Sequence, residues 1–204
     1  MTIRVFEVNT EQHLELALHC HHDWYVQAGY IEAHPRSRFM DEWSAHSKYF
    51  LVTETGRGDD LTKKDVIGMV RLVHSAPFPI HRHFELWPRK CADIQSIAQE
   101  NQCEVSALCW APKCRTKVIP YLFRSIRQCT KAMNKSAIWA CLDKNLIPIL
   151  EQYSLPFRVC GETRFYMGSD TIPLFMRLSE MADILSTKHP DLYQFVEKEL
   201  DTAP

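Results

Sequence analysis

Cys103-Glu104-Val105-Ser106-Ala107-Leu108-Cys109-Trp110 passes through Ala111 into the turn Pro112-Lys113-Cys114-Arg115-Thr116, and then into an amphipathic stretch from about Lys117 to Met133. The first part reads as an apolar strand with an acidic residue near its start. The basic turn ends the strand, and the apolar spacing beyond it changes to that of a helix packed on one side. This unit carries two groups that can do chemistry. A carboxylate desolvated in an apolar strand has a raised pKa and becomes a competent general base. A helix start with free amides, beside Arg115 and Lys117, suits a phosphate group. The plainer alternative is a solvated strand residue followed by an ordinary helix start. The turn also lacks the glycines that usually let a phosphate approach the backbone.

Working outward, Met1 to Val8 reads as a strand, and Thr10 is the expected N-cap of a helix from about Glu11 to Ala28 that stops at Gly29. Ile31 to Ser47 is polar and irregular, and a loop of that length is uncommon unless functional. Tyr49–Thr53 and Asp65–Val73 are strands, joined as a hairpin through Gly56-Arg57-Gly58-Asp59-Asp60. His74 to Lys90, with three prolines and with His81 and His83, reads as a second surface loop, and Cys91–Gln99 as a short helix. Downstream come a buried strand (Ala137–Leu142), a short helix (Lys144–Tyr153), two strands (Phe157–Met167 and Ile172–Leu178) and a polar amphipathic helix (His189–Leu200). The order gives an α/β fold, a mixed and mostly antiparallel sheet with helices on both faces. No repeat or linker divides it, so residues 1–204 are read as one domain with a C-terminal helical segment at about 181–204.

Composition bounds the function classes. The chain has 204 residues, 46% hydrophobic and 24% charged, with a formal net charge of -1. That is enough for one well-filled core, and it supplies no strong field for nucleic acid or an anionic membrane. No run reaches the about 18 apolar residues of a membrane span, and the N-terminus lacks a signal-peptide core, so a cytoplasmic location is expected. The eight cysteines are scattered without a C-x-x-C pair, which favours free thiols in a reducing compartment over disulfides or a metal site. His19-Cys20-His21-His22 looks like a set of zinc ligands, but adjacent helical residues point about 100° apart and cannot all face one metal.

At this point the chain resembles a family. The element order looks like a GNAT fold. Tyr25-Val26-Gln27-Ala28-Gly29-Tyr30, Arg38-Phe39-Met40-Asp41-Glu42-Trp43-Ser44 and Val66-Ile67-Gly68-Met69-Val70-Arg71-Leu72 are similar to segments of autoinducer-synthase-like proteins. This group includes acyl-homoserine lactone synthases and long-chain N-acyl amino acid synthases. Glu104-Val105-Ser106-Ala107-Leu108 matches their Glu-x-Ser-Arg strand, with Ala107 where arginine is usual. The likeness runs from about Leu14 to Leu178 and is closest to the N-acyl amino acid synthases.

The resemblance implies transfer of a medium or long acyl chain from an acyl carrier protein, or less often coenzyme A, to the amino group of an amino acid or related amine. No metal or tightly bound cofactor is required. Glu104 would be the base, directly or through a water. The backbone near Cys109 and Trp110 would hold the pantetheine arm and the oxyanion, and Lys113, Arg115 and Lys117 would meet the phosphate. Asp41 would take an ammonium and Arg71 a carboxylate, with Ser106, Trp139 and Phe165 completing the substrate site. Ala107, and the replacement of an arginine expected near His21 or His22, count against a lactone synthase that binds S-adenosylmethionine. Two alternatives stand beside this: a small-acyl, coenzyme A-dependent N-acetyltransferase, and a non-catalytic acyl- or carrier-protein-binding module.

Other groups have plainer readings. Ser106 has no G-x-S-x-G setting. Cys109 has no base paired with it and reads as a structural thiol. Trp110, Trp139, Phe157, Phe165 and Tyr166 either line an acyl tunnel or are core, the commoner fate. Arg124 and Arg127 either greet an acidic carrier protein or form a solvated helix face.

Overall fold

The computed structural model describes residues 2–55 and 61–203. Its strands are β1 (Thr2–Glu7), β2 (Ser47–Thr55), β3 (Val66–Val73), β4 (Gln102–Trp110), β5 (Ala137–Asp143), β6 (Arg158–Val159), β7 (Arg164–Tyr166) and β8 (Ser169–Arg177). Its helices are α1 (Glu11–Gln27), α2 (Pro79–His83), α3 (Pro88–Gln95), α4 (Arg115–Ala132), α5 (Ile147–Gln152), α6 (Leu178–Lys188) and α7 (Pro190–Val196). One sheet runs in the order β1-β2-β3-β4-β5-β8-β6, with β7 also on β8. Every pairing is antiparallel except β4 with β5.

Side chains alternate between the two faces of each strand, and the core follows that alternation. Val5, Phe50, Val52, Val70 and Leu72 pack with Val118, Ile119, Leu122 and Ile126 of α4 and with Met181, Leu185 and Val196 of α6 and α7. Their neighbours Phe6, Leu51 and Met69 face Ala17 and Leu18 of α1. At the other end of that second face, Trp139 and Phe175 pack with Ile80 of α2 and with Cys91 and Ile94 of α3. Helices therefore cover both faces.

The helix boundaries have local causes. The Thr10 side chain accepts the His13 amide at 3.2 Å and starts α1. Gly29, at φ 77°, ends it, with the Tyr30 amide returning to the Tyr25 carbonyl at 2.8 Å.

Two irregularities of β4 make the site. The parallel ladder with β5 runs only from Gln102 opposite Ala137 to Val105 opposite Ala140. Beyond it β4 continues to Trp110 and β5 to Asp143, so the two strands part and leave the β5-facing edge of β4 without a strand partner. Between Arg71 and Leu72 the β3–β4 register shifts, which makes Ser106 the extra residue of a bulge. A bulge re-aims side chains, and it is common beside active sites.

Several expectations change. The single strand expected over Phe157–Met167 is two short pieces, β6 and β7. Gly161 between them lies so close to the Glu85 carbonyl that a Cβ would sit 2.6 Å from its oxygen, and it bridges Leu86 where the strand breaks. The loop expected over His74–Lys90 carries α2, anchored by fully buried Phe78 and Ile80. The C-terminal helical region begins at Leu178 and ends at Val196. Its tail returns to β1, where the Asp201 amide donates to the Val5 carbonyl and the Val5 amide to the Asp201 carboxylate. Arg124 is buried against the carbonyls of Lys198 and Glu199, and Arg127 pairs with Glu197. Both arginines therefore serve the fold, which corrects their reading as a free docking face. The turn Gly56–Asp60 lies outside the described residues, although β2 and β3 are antiparallel neighbours.

Candidate active site

A cavity of about 320 Å³ opens where β4 and β5 part. Glu104 and Ser106 reach it from β4, Arg71 from β3, and Cys141 and Asp143 from β5. His21 and Tyr25 of α1, and Phe39, Asp41 and Trp43 of the long loop after it, form the facing wall. On the opposite face of the sheet lies an apolar pocket with about 50 Å³ of free space, walled by α4 to α7. Val105, Leu108, Leu142 and Leu146 line both spaces, so the two meet at the parting of the strands.

Glu104 is 1% exposed. Its Oε2 accepts the Ile80 amide at 2.9 Å. Burial pushes its carboxyl up from 4.5 to about 8, against the opposing pull of that amide and of the Arg71 charge. A carboxyl group in this state holds its proton at neutral pH until a positive charge arrives.

Arg71 and Asp41 come together, but not as two independent hands for a substrate. The Arg71 Nη1 donates to Asp41 at 2.9 Å and its Nε to the Ser106 hydroxyl at 2.5 Å. Burial is the largest influence on Arg71 and weakens its hold on the proton, but Asp41 and Tyr49 together outweigh it, so the guanidinium stays charged. Two of the five Arg71 donors are therefore taken within the protein. The bulge is what brings Ser106 to Arg71, and Ala107 is buried opposite Arg71 in the ladder.

His21 is 1% exposed, and neither ring nitrogen has a hydrogen-bond partner among the described residues. Burial, then the charge of Arg71 and the ring of His22, pull its pKa down to about 3, so the ring is neutral. It sits 4.2 Å from the Tyr25 ring centroid and 4.3 Å from that of Phe39. Across the cavity the Tyr30 hydroxyl donates to Asp143 Oδ2 at 2.7 Å.

The turn residues lie apart from this polar group. The helix α4 begins at Arg115 without a side-chain cap, so its first amides are open to a ligand. Lys113, in the left-handed region at φ 65°, and Arg115 are exposed beside it. The Lys117 ammonium is held by Glu54 at 2.6 Å. Trp110 lines the apolar pocket, as does Phe157. Cys109 is buried and its thiol is pushed well above its usual range by burial, so no thiolate is available there.

Two expected substrate residues fall elsewhere. Trp139 is core, 1% exposed, with its indole nitrogen donating to Gln102 at 2.7 Å. Phe165, on the short outer strand β7, is 71% exposed and lines an outer groove instead of the cavity. Conversely, Asp143 belongs to the cavity without having been singled out, as do Tyr30, quoted only within a segment, and His83, read as part of a surface loop; Tyr166, an expected tunnel or core aromatic, lines it too. Among the described residues, no three or more His, Cys, Asp or Glu side chains converge as a metal site.

No protein-family model matches the chain, and no curated protein matches it by sequence. Solved structures do. BjaI, a coenzyme A-dependent acyl-homoserine lactone synthase solved with SAM and isopentyl-CoA, matches with a TM-score of 0.67 at 16% identity, covering 92% of this chain and 89% of that one. FeeM, an N-acyl amino acid synthase from uncultured soil microbes, matches at 0.64 and 11% identity, covering 89% and 94%. An N-acetyltransferase described as putative from Lactobacillus plantarum matches at 0.59 and 11% identity, covering 87% and 99%. The chain thus has the GNAT-type fold shared by the autoinducer-synthase-like acyltransferases.

Proposed function

We propose that the chain is an N-acyltransferase that moves an acyl group from a thioester, on carrier protein or coenzyme A, to the amino group of an amino acid or related amine. The observation that carries this reading is Glu104: a buried carboxyl whose pKa is raised to about 8, placed where β4 and β5 part and facing the cavity. An incoming ammonium beside it favours the ionised form by opposite charge, so Glu104 releases its proton to solvent, and the resulting carboxylate then takes a proton from the ammonium. The neutral amine attacks the thioester carbonyl, and collapse of the tetrahedral adduct expels the thiolate, which is protonated as it leaves.

The other parts follow. The unpaired edge of β4 from Ser106 to Trp110 offers backbone groups to the pantetheine arm and the oxyanion. The open first turn of α4, beside Lys113 and Arg115, suits the phosphate. The apolar pocket beyond Val105 and Leu108 takes the acyl chain. Its small free space favours a second reading, a short acyl group, unless α6 and α7 yield to a longer one. Purified protein given a series of acyl-CoA and acyl-carrier thioesters with mixed amines tests both readings. N-acyl product by mass spectrometry, lost in Glu104→Gln, supports the transfer. The chain length turned over fastest decides between the two readings, and thioester left intact with every amine removes both.

A further inference from the structure

We infer that the cavity selects an acceptor amine that carries net positive charge and no carboxylate, a diamine or an amino acid amide, in preference to a zwitterionic amino acid. The inference rests on the acyl-transfer reading of the same site. Three carboxyl groups line the cavity, Asp41, Glu104 and Asp143, against the single guanidinium of Arg71. Arg71 is already committed, to Asp41 through Nη1 and to Ser106 through Nε. A zwitterion that inserted between Arg71 and Asp41 would add no net charge. The cavity would stay one negative charge in excess, and two once Glu104 ionises to act as the base. Unpaired charge in a buried site is costly; a monocationic amino acid amide cancels one unit of it and a dicationic diamine cancels two.

The uncharged groups point the same way. His21 is buried, neutral, and has no partner on either ring nitrogen among the described residues. A neutral imidazole keeps one lone pair for a donor, and an ammonium supplies that donor. Tyr25 and Phe39 pack around His21, with Tyr30 beside Tyr25 at 5.3 Å between ring centroids, and present aromatic surface to a cation. Among the described residues Asp143 accepts the Tyr30 hydroxyl and the Asn145 amide, so a carboxylate with about four acceptor sites keeps capacity for an ammonium.

Titration calorimetry on the full chain with matched probes tests this: leucinamide against leucine, tyrosinamide against tyrosine, and 1,4-diaminobutane. The amides are expected to bind at least about tenfold tighter than the acids. Asp143→Asn should shrink that ratio toward one, and His21→Leu should weaken amide binding without lowering the melting temperature. Acids binding as tightly as amides, no binding of any cationic probe, or S-adenosylmethionine binding tighter than the amides would each overturn the inference. The same mixtures with thioester added keep the two ideas apart. Cation binding without any N-acyl product sinks the transfer reading while leaving the cavity's cation preference intact, and acylation that prefers leucine over leucinamide overturns the inference while supporting the transfer.

Discussion

Glu104→Gln should change the pH dependence of stability in a predictable direction. The carboxyl ionises near pH 8 in the folded chain and near 4.5 when exposed. The folded state therefore binds the extra proton between those values, and stability falls as pH rises from about 4.5 to about 8, then levels off. At about 1.4 kcal/mol per pH unit, the full loss is at most about 5 kcal/mol, with about 2–3 kcal/mol of it between pH 6 and pH 8. Glutamine keeps an acceptor oxygen for the Ile80 amide and does not titrate. The assay is urea denaturation of both proteins from pH 5 to pH 9, read by tryptophan fluorescence. His21 titrates in the opposite sense, contributing stability above its unfolded pKa that is lost as pH falls toward 3, and it cancels in the difference between the two proteins. The variant should gain on the wild type steadily up to about pH 8. Parallel curves across the range would refute the account of Glu104 as a buried, proton-holding carboxyl.

Three further outcomes follow from the same geometry. For any accepted amine, kcat/KM should climb by about tenfold per pH unit up to about pH 8 and then level; a flat profile from pH 6 to 9 would exclude Glu104 as the base. Arg71→Lys keeps the charge but not the fork that reaches both Asp41 and Ser106. It should cost about 1–3 kcal/mol of stability and most of the acyl transfer, and a variant with unchanged melting temperature and rate would contradict that. Gly168 sits at φ 75° with the Gly29 carbonyl oxygen 2.2 Å from where a Cβ would be, so Gly168→Ala should lose about 1–3 kcal/mol; an unchanged melting temperature would deny the close approach.

The parts of this molecule that were legible in the sequence are those set by neighbours in the chain. Thr10 and Gly29 bounded α1 because capping and a left-handed turn are local events. Glu104 stood out because a carboxylate in an apolar strand is locally anomalous. The cavity was less legible because its walls are far apart in sequence. Tyr30 and Asp143 meet across 113 positions, and Asp41 and Arg71 across 30. The Ser106 bulge depends on the register of two strands, which no single strand encodes. Trp139 and Phe165 were misplaced for a related reason: a strand aromatic shows its period but not which layer covers it. In the fold, α3 and Phe175 pack on Trp139, and nothing covers Phe165. Arg124 and Arg127 looked free because the C-terminal tail that occupies them follows about 70 residues later.

The most direct test of acyl transfer is mass spectrometry of lipid extracts from cells overexpressing the chain, set against cells making Glu104→Gln at equal, folded levels. The account expects new N-acyl amines in the first extract that are absent from the second, and the mass of each would name both acyl group and acceptor. Extracts that carry no new acyl amine, or the same one in both strains, would contradict it.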